Sequence, residues 1–285
     1  MRPLLSAWLY HHGVPGWLAP TYFSLVVLCA LIGSAISLQL ARRDGADLRH
    51  EARSLAVVYL GALLGGYALE VLRALPQALL TWSLAPCLQV GRAAYGGMLF
   101  AIGLVICYRL TYRLPIAAFF DRGMLGTAVA FLGVRTGCFL SGCDYGIPTA
   151  SLLGVRFPRW SLAAVDHAEH GYVPLGAASL PVHPTQLYEA TMAFGAALIA
   201  SHFLRDGRRD GTAFLCWLLL YSIGRFLNEF LRGDDSRGLY LGLSSAQYIS
   251  LLLGGVVVWI LAQRALGQRG ASWAVQLPHE PAPAE

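Results

Sequence analysis

Long apolar stretches alternate with short polar ones along most of this 285-residue chain. A helix of about 20 apolar residues is long enough to cross the hydrocarbon core of a bilayer. Stretches of this kind lie near residues 20–40, 54–75, 94–112, 122–140, 184–204, 212–231 and 244–264. The pattern therefore predicts an all-α integral membrane protein with about seven transmembrane helices.

The polar segments predict how the chain is organised. We expect a single polytopic membrane domain over residues 1–268, followed by a disordered cytoplasmic tail over 269–285 that is rich in proline and alanine. The longest polar connection, residues 141–183, is expected to form a head segment outside the bilayer. No signal peptide is predicted, because residues 4–20 lack a basic region ahead of an apolar one.

Composition and charge support a membrane setting and suggest an orientation. Hydrophobic residues make up 56% of the chain and charged residues 13%, whereas about a quarter of a soluble domain is charged. If the N-terminus lies outside, the inner segments hold twelve arginines and the outer segments seven. Since basic residues favour the cytoplasmic side, this predicts N-out/C-in with a periplasmic head segment. These arginines explain the net charge of +5, and nucleic-acid binding is not indicated.

Ionisable side chains recur in or beside four predicted spans, where they are costly unless paired or hydrated. The four segments are RAAYGGMLFAIG, FLGVRTGCFLSGCDYG, HPTQLYEA and YSIGRFLNEFLRGDD. All four lie toward the outer side in the predicted orientation, which favours a single polar cavity at the depth of the lipid headgroups. The alternative is a set of structural ion pairs that hold a helix bundle together.

The residue types in these segments are suited to a phospholipid phosphate. Arg135 and Arg225 can each donate paired hydrogen bonds to a phosphate, which lysine does less well. Tyr221 and Glu229 flank Arg225 at four-residue spacing and so share its helix face. Further residues are expected to line the pocket or to let the backbone approach a ligand, and they are His183, Gln186, Tyr188, Glu189, Gly96, Gly97, Gly142 and Gly146.

In order and spacing, residues 20–262 resemble the prolipoprotein diacylglyceryl transferase family. HPTQLYEA resembles the family's HPSQLYEA, and RTGCFLSGCDYG resembles its RIGNFINGELWG. The short GVRFP resembles GVVFP. YSIGRFLNEFLRGDD, followed by SSAQ, resembles YGxFRFxVEFFRxPD followed by GQ.

The resemblance implies an enzyme of the bacterial cytoplasmic (inner) membrane whose site faces the periplasm. Such an enzyme moves the diacylglyceryl group of phosphatidylglycerol to the lipobox cysteine thiol of a prolipoprotein. A thioether forms, glycerol phosphate leaves, and no metal or organic cofactor takes part. By resemblance, Arg135 and Arg225 hold the phosphate, while Tyr221, Glu229 and Gly146 match further positions of the family motifs.

Three positions depart from the family pattern. Tyr95 stands where the family has a histidine often treated as the catalytic base, Cys138 replaces an asparagine, and Cys143 replaces a glutamate. Asp144 could supply the missing carboxylate, but a continuing helix would point it about 100° away from Cys143. A disulfide, apolar packing and thiol chemistry all remain open for the two cysteines. Zinc is not expected, because the C-x4-C spacing is unusual for it and no second pair exists.

Three functions remain open on the sequence alone. The first is the transferase described above, and the second is an enzyme on the same scaffold with a changed donor or acceptor. The third is a non-catalytic phospholipid-binding membrane protein that has kept the arginine pocket. His167 and His170 in DHAEH are interpreted as residues of a solvated loop rather than as a metal pair.

Overall fold

The computed structural model describes residues 22–83, 85, 94–205, 207, 209–234 and 239–265. Within these residues the main helices are α1 Tyr22–Arg43, α2 Leu48–Thr81, α3 Ala94–Thr111, α4 Ile116–Ser141, α5 Leu162–Glu169, α6 Thr185–Ala200, α7 Thr212–Asn228 and α8 Ser245–Ala265. Two antiparallel pairs of very short strands accompany them, β1 Val155–Arg156 with β2 Pro181–Val182, and β3 Leu239–Tyr240 with β4 Leu243–Ser244.

The predicted all-α membrane architecture is confirmed. Helices long and apolar enough to cross a membrane cover Ser24–Arg43, Leu48–Leu72, Ile116–Ser141, Thr185–Leu204, Thr212–Leu231 and Ser245–Arg264. The predicted third span is also helical, but its apolar part, Gly96–Thr111, is shorter than these six. A seventh crossing therefore stays a prediction. The tail predicted for residues 269–285 lies outside the described residues.

The chain divides into two compact units. Within the described residues, one comprises 22–37 and 121–265, and the other 38–120. The predicted single domain and its boundaries remain a prediction.

Small residues bring α2 and α3 into close contact in the unit from Leu38 to Phe120. A Cβ atom added to Gly96 would clash with the carbonyl oxygen of Gly65, and one added to Gly97 would lie 2.7 Å from the carbonyl oxygen of Ala62. Such residues allow two helix backbones to approach closely within a membrane. Gly96 and Gly97 thus lie at a helix contact, and their ligand-binding role stays a prediction.

The same unit contains a buried arginine near the end of the predicted third span. Arg109 is 1% exposed and pairs with Glu51 at 3.1 Å. Its Nη1 donates to Ser54 Oγ at 3.0 Å and its Nη2 donates to the carbonyl oxygen of Pro115 at 2.9 Å. The guanidinium also lies 4.7 Å from the ring centre of Phe119. Arg109 therefore ties the start of α2 to the end of α3.

In the other unit, α4, α6 and α7 pack around small side chains. Their shared core is Met124, Ala128, Ala196, Ala197, Ala200, Ala213 and Trp217. Gly33 of α1 and Gly126 of α4 approach so closely that a Cβ atom on either would clash with the other's carbonyl oxygen. The small residues thereby hold the helices that carry the candidate site at short range.

The segment between α4 and α6, which is predicted to form the head segment, has a core of its own. Tyr145, Phe157, Ala163 and Val182 form this core. His167 is 2% exposed, and its Nδ1 accepts the backbone N–H of Leu180 at 3.1 Å. Burial lowers the pKa of His167. The interpretation of His167 as a solvated loop residue is therefore wrong, because α5 and this core enclose it.

Candidate functional site

The carboxylate of Glu189 joins two helices at the centre of the candidate site. α6 starts directly after Pro184, so its first turns bring Glu189 to the buried side. Glu189 Oε1 accepts hydrogen bonds from Arg135 Nη2 at 2.9 Å and from Tyr221 Oη at 2.8 Å. Arg225 Nε lies 3.3 Å from the same oxygen. One oxygen atom therefore meets donors from both α4 and α7.

α7 presents its polar residues on one face, as their four-residue spacing predicts. Arg225 Nη1 pairs with the carboxylate of Glu229, one turn further along the helix. Within the described part of the chain, Arg225 Nη2 makes no hydrogen bond. Arg225 is thus held by two carboxylates and keeps one terminal donor for a ligand.

α4 ends in a left-handed turn that redirects the chain. Gly142 has φ +77°, the backbone N–H of Cys143 donates to the carbonyl oxygen of Cys138 at 3.2 Å, and the N–H of Gly142 lies 3.3 Å from the carbonyl oxygen of Phe139. These are features of a Schellman C-cap, in which the side chains of the first and last residues approach each other. The turn brings Cys138 and Cys143 together.

A continuing helix would point Asp144 about 100° away from Cys143, but α4 ends at Ser141 and Asp144, a predicted site residue, lies within the network. Asp144 has φ +56° and pairs with Arg135 Nη1 at 3.1 Å. Arg232 Nη2 reaches the other oxygen of the same carboxylate at 2.7 Å. Burial would raise the pKa of Asp144, but the guanidinium groups of Arg232 and Arg135 outweigh it and hold that pKa below its usual value.

Arg232 is a buried member of this network that sequence reasoning missed. It pairs with Asp234 at 2.6 Å as well as with Asp144. The sequence pattern places it among the outer-segment arginines, since it follows the apolar part of α7. Its three-residue separation from Glu229 and the acidic residue two positions later were the available signals.

Both cysteines of the turn are free thiols. Cys143 Sγ lies 3.7 Å from the carbonyl oxygen of Cys138 and 3.9 Å from Asp144 Oδ2. A hydrogen bond from the Cys138 thiol lowers the pKa of Cys143, although burial opposes it. One sulfur atom from each cysteine and one carboxylate oxygen of Asp144 lie within 4.8 Å of one another.

The first turn of α6 fixes this loop from the other side. Thr185 Oγ1 donates to the carbonyl oxygen of Asp144 at 2.6 Å, and Gln186 Nε2 donates to that of Cys143 at 2.5 Å. Asn228 Nδ2 in turn donates to the carbonyl oxygen of Thr185 at 3.2 Å. Among the described residues, Gln186 Oε1 is a buried acceptor without a hydrogen bond. The loop is therefore anchored by hydrogen bonds to two consecutive carbonyl groups.

Three other predicted residues lie beside the network rather than within it. His183 Nδ1 and Tyr188 Oη are 3.2 Å apart and form a half-buried pair. Gly146 lies where three segments cross, since an added Cβ atom would be 2.6 Å from His183 Cβ and 2.7 Å from the carbonyl oxygen of Leu231. In this structure Gly146 allows close packing, and its role toward substrate stays a prediction.

The segment around Tyr95 belongs to the unit from Leu38 to Phe120. Its side chain lies outside the described part of the structure, so its predicted catalytic role stays a prediction. The other three polar segments meet in one network. Its charged side chains within the described chain are Arg135, Arg225, Arg232, Asp144, Glu189, Glu229 and Asp234.

Comparisons with known proteins cover the part of the chain that contains these motifs. Residues 17–263 match the family model described as prolipoprotein diacylglyceryl transferase. A protein of Clostridium perfringens named phosphatidylglycerol–prolipoprotein diacylglyceryl transferase 2 is 33% identical over 172 residues, which cover 59% of this chain and 61% of that protein. A Clostridium tetani protein named phosphatidylglycerol–prolipoprotein diacylglyceryl transferase is 27% identical over 230 residues, covering 81% and 87%. Because the family model matches most of its length, this chain belongs to the prolipoprotein diacylglyceryl transferase family.

Proposed function

We propose that this chain transfers the diacylglyceryl group of phosphatidylglycerol to the lipobox cysteine of prolipoproteins, with the network around Glu189 as its active site. The observation that carries the proposal is the convergence of Arg135, Tyr221 and Arg225 on Glu189 Oε1. These residues and Glu189 come from three of the four motifs that also carry the family resemblance. Glu189 fixes both guanidinium groups, so that little reorganisation is needed when an anion arrives.

A phosphate can use the donor that the network leaves available. Arg225 Nη2 has no hydrogen bond within the described chain. Arg135 and Arg225 both contact the same carboxylate oxygen of Glu189, at 2.9 and 3.3 Å. A headgroup phosphate bound beside Glu189 would therefore be close to two positive charges, although it must compete with the carboxylates for the other N–H groups.

The arginines supply stabilisation where negative charge develops. The thiolate of the lipobox cysteine attacks the carbon of the diacylglyceryl group that is bonded to a phosphate oxygen of phosphatidylglycerol. A carbon–sulfur bond forms as the carbon–oxygen bond to phosphate breaks, and glycerol phosphate leaves with the electron pair. Arg225 and Arg135 stabilise this leaving group. The acceptor thiol has an ordinary pKa of about 8.5, so a fraction of it is already ionised at neutral pH and a strong base is not required.

We place the site on the periplasmic face of the bacterial cytoplasmic membrane, with the N-terminus outside and the C-terminus inside. The arginine distribution supports this orientation. In it, α3 makes a seventh crossing and residues 141–183 form a periplasmic head segment. The site then lies where a phospholipid headgroup and a secreted prolipoprotein can both reach it, with membrane lipid around the helices.

Lipidation of a prolipoprotein peptide tests the function. The purified chain is mixed with phosphatidylglycerol and a lipobox peptide, and the peptide mass is followed. We expect a gain of one diacylglyceryl group, lost when the lipobox cysteine is replaced by serine. Tyr95→His restores the residue that the family has at this position and should raise the rate.

Absence of a mass gain with both the wild type and Tyr95→His, in folded protein, would overturn the transferase proposal. Phosphatidylglycerol binding without transfer would then indicate a lipid-binding protein. Transfer from another phospholipid, or to another thiol, would indicate a changed donor or acceptor on the same scaffold.

A further inference from the structure

The turn after α4 gathers three side-chain groups that are good ligands for thiophilic cations. Cys138, Cys143 and Asp144 each offer one ligand atom, and the three atoms lie within 4.8 Å of one another. We propose that these three residues form a binding site for a thiophilic divalent cation, such as Zn²⁺ or Cd²⁺. The proposal is independent of the transferase activity.

The distances are close to those that such an ion requires. With metal–sulfur bonds of about 2.3 Å and metal–oxygen bonds of about 2.0 Å, a tetrahedral site places sulfur and oxygen about 3.5 Å apart. Cys143 Sγ and Asp144 Oδ2 are 3.9 Å apart. A contraction of a few tenths of an ångström would bring this pair to bonding geometry, and the second sulfur requires a shift of at most about 1 Å.

The C-cap determines how close the two cysteines are. A continuing α4 would point Cys138 and Cys143 in different directions. The left-handed Gly142 instead folds the chain back, so that Cys143 N–H reaches the carbonyl oxygen of Cys138. Four intervening residues then lie within the range found between ligands of structural zinc sites.

Hydrogen bonds from α6 hold the proposed ligands in place. Thr185 and Gln186 donate to the carbonyl oxygens of Asp144 and Cys143, which limits movement of the ligand backbone. Gln186 is 1% exposed, and its Oε1 lacks a hydrogen bond within the described chain. A water molecule in the open fourth position of the cation could donate to such an acceptor.

The charge of the surroundings is compatible with a cation. The linked network in the described chain has three arginines and four carboxylates, so its formal charge is −1. A divalent ion that displaces the protons of both thiols leaves this charge unchanged. The carboxylate of Asp144 has two oxygens with about four acceptor positions, so it can bind a cation while keeping contacts with arginine.

Cd²⁺ is a suitable probe because its thiolate complexes absorb in the ultraviolet. The full chain is purified in detergent, reduced, freed of metal with a chelator and titrated with Cd²⁺. We expect one Cd²⁺ per chain, displacement by Zn²⁺ and no displacement by Mg²⁺. Cys138→Ser and Cys143→Ser should abolish the absorption. Asp144→Asn should weaken binding at least about tenfold, as loss of even outer-shell metal contacts does. Cys107→Ser and Cys216→Ser are matched controls and should bind normally.

Thiol labelling of the wild-type protein gives a second measurement of cation binding. Bound Cd²⁺ should slow maleimide labelling of Cys143, which is half-buried, in the wild type, while labelling of the cysteines outside the turn is unchanged. Equal labelling with and without Cd²⁺ would overturn the proposal, as would unchanged Cd²⁺ absorption in folded Cys143→Ser protein. A Cys138–Cys143 disulfide in membranes, with no Cd²⁺ binding after reduction, would also overturn it and identify a redox pair instead.

Discussion

Among single residues, Arg225 has the contacts that most directly suit an anionic substrate. Its Nε and Nη1 are engaged by Glu189 and Glu229, which fix the plane of the guanidinium. A lysine has one compact ammonium group and cannot satisfy both carboxylates while also presenting an oriented donor.

We therefore expect Arg225→Lys to lower the rate of diacylglyceryl transfer by at least about 10²-fold, as loss of an oriented donor to developing charge does. The measurement is the initial rate of peptide mass gain. Arg264→Lys is the matched control, because Arg264 contacts Thr212 and Asp210 at the other end of α7. A rate for Arg225→Lys equal to that of the wild type would contradict the proposed clamp.

The buried pair of Arg109 and Glu51 leads to a prediction about stability rather than activity. Breaking a buried ion pair from one side leaves an uncompensated charge and costs about 3–5 kcal/mol. Glu51→Leu should accordingly lower the thermal denaturation midpoint in detergent. The double variant Glu51→Leu/Arg109→Leu should regain much of the loss. If the single and double variants denature at the same temperature, charge pairing is not what stabilises this contact.

Several of these residues could be identified from the sequence, and the reason is physical. An ionisable group within an apolar span needs a partner, so the pattern alone points to Arg135, Glu189 and Arg225. It does not point to Arg109 and Arg232, because each lies near the end of an apolar stretch, where an arginine in a loop gives the same pattern. Only their contacts with Glu51 and Asp144 distinguish them.

For the elements, the end of α4 determines the local structure of the site. Gly142 adopts a left-handed conformation that costs most other residues about 1–2 kcal/mol. An added Cβ atom would also lie 3.1 Å from Ser161 Cβ. The position of Asp144 therefore depends on a backbone angle, and hydrophobic periodicity contains no information about that angle.

Replacing Gly142 should separate the cost of the left-handed backbone conformation from the cost of contact with Ser161. Asparagine tolerates the left-handed region and valine does not, while both introduce a Cβ atom. We expect Gly142→Val to lower the thermal denaturation midpoint more than Gly142→Asn, and to weaken Cd²⁺ binding more. The midpoint is measured by intrinsic fluorescence in the same detergent. Equal effects of the two variants would indicate that contact with Ser161, rather than backbone conformation, dominates.

For the whole molecule, the number and length of the apolar stretches predicted most of the fold. Six spans lie where the stretches predicted them, because crossing a bilayer requires length and apolarity and little else. The contacts between spans could not be predicted from the apolar pattern. The approach of Gly33 to Gly126 depends on which helix faces pair, and this choice is made by packing across distant parts of the chain.

Orientation is a testable property of the whole molecule. We expect an epitope inserted after Gly171 to be accessible only from the periplasm, and a C-terminal epitope only from the cytoplasm. Gly171 is exposed, and a Cβ atom added there meets no other atom within 4 Å, so an insertion should be tolerated. Intact cells and permeabilised cells are compared. If a C-terminal epitope is labelled when only the outer membrane has been permeabilised, the predicted orientation is wrong.

The carboxylate of Asp121 has a consequence for biosynthesis. Asp121, which is 1% exposed, accepts the backbone N–H groups of Gly211 at 2.7 Å and of Phe214 at 2.9 Å. The first of these partners is 90 residues later in the chain, so α4 is synthesised long before them. Until α7 is made, this carboxylate lacks both hydrogen bonds, at a cost of about 1–3 kcal/mol if it is buried. A chain that stops before residue 211 therefore retains a carboxylate in α4 without these two partners, and this part of the fold is complete only after the start of α7 has been synthesised.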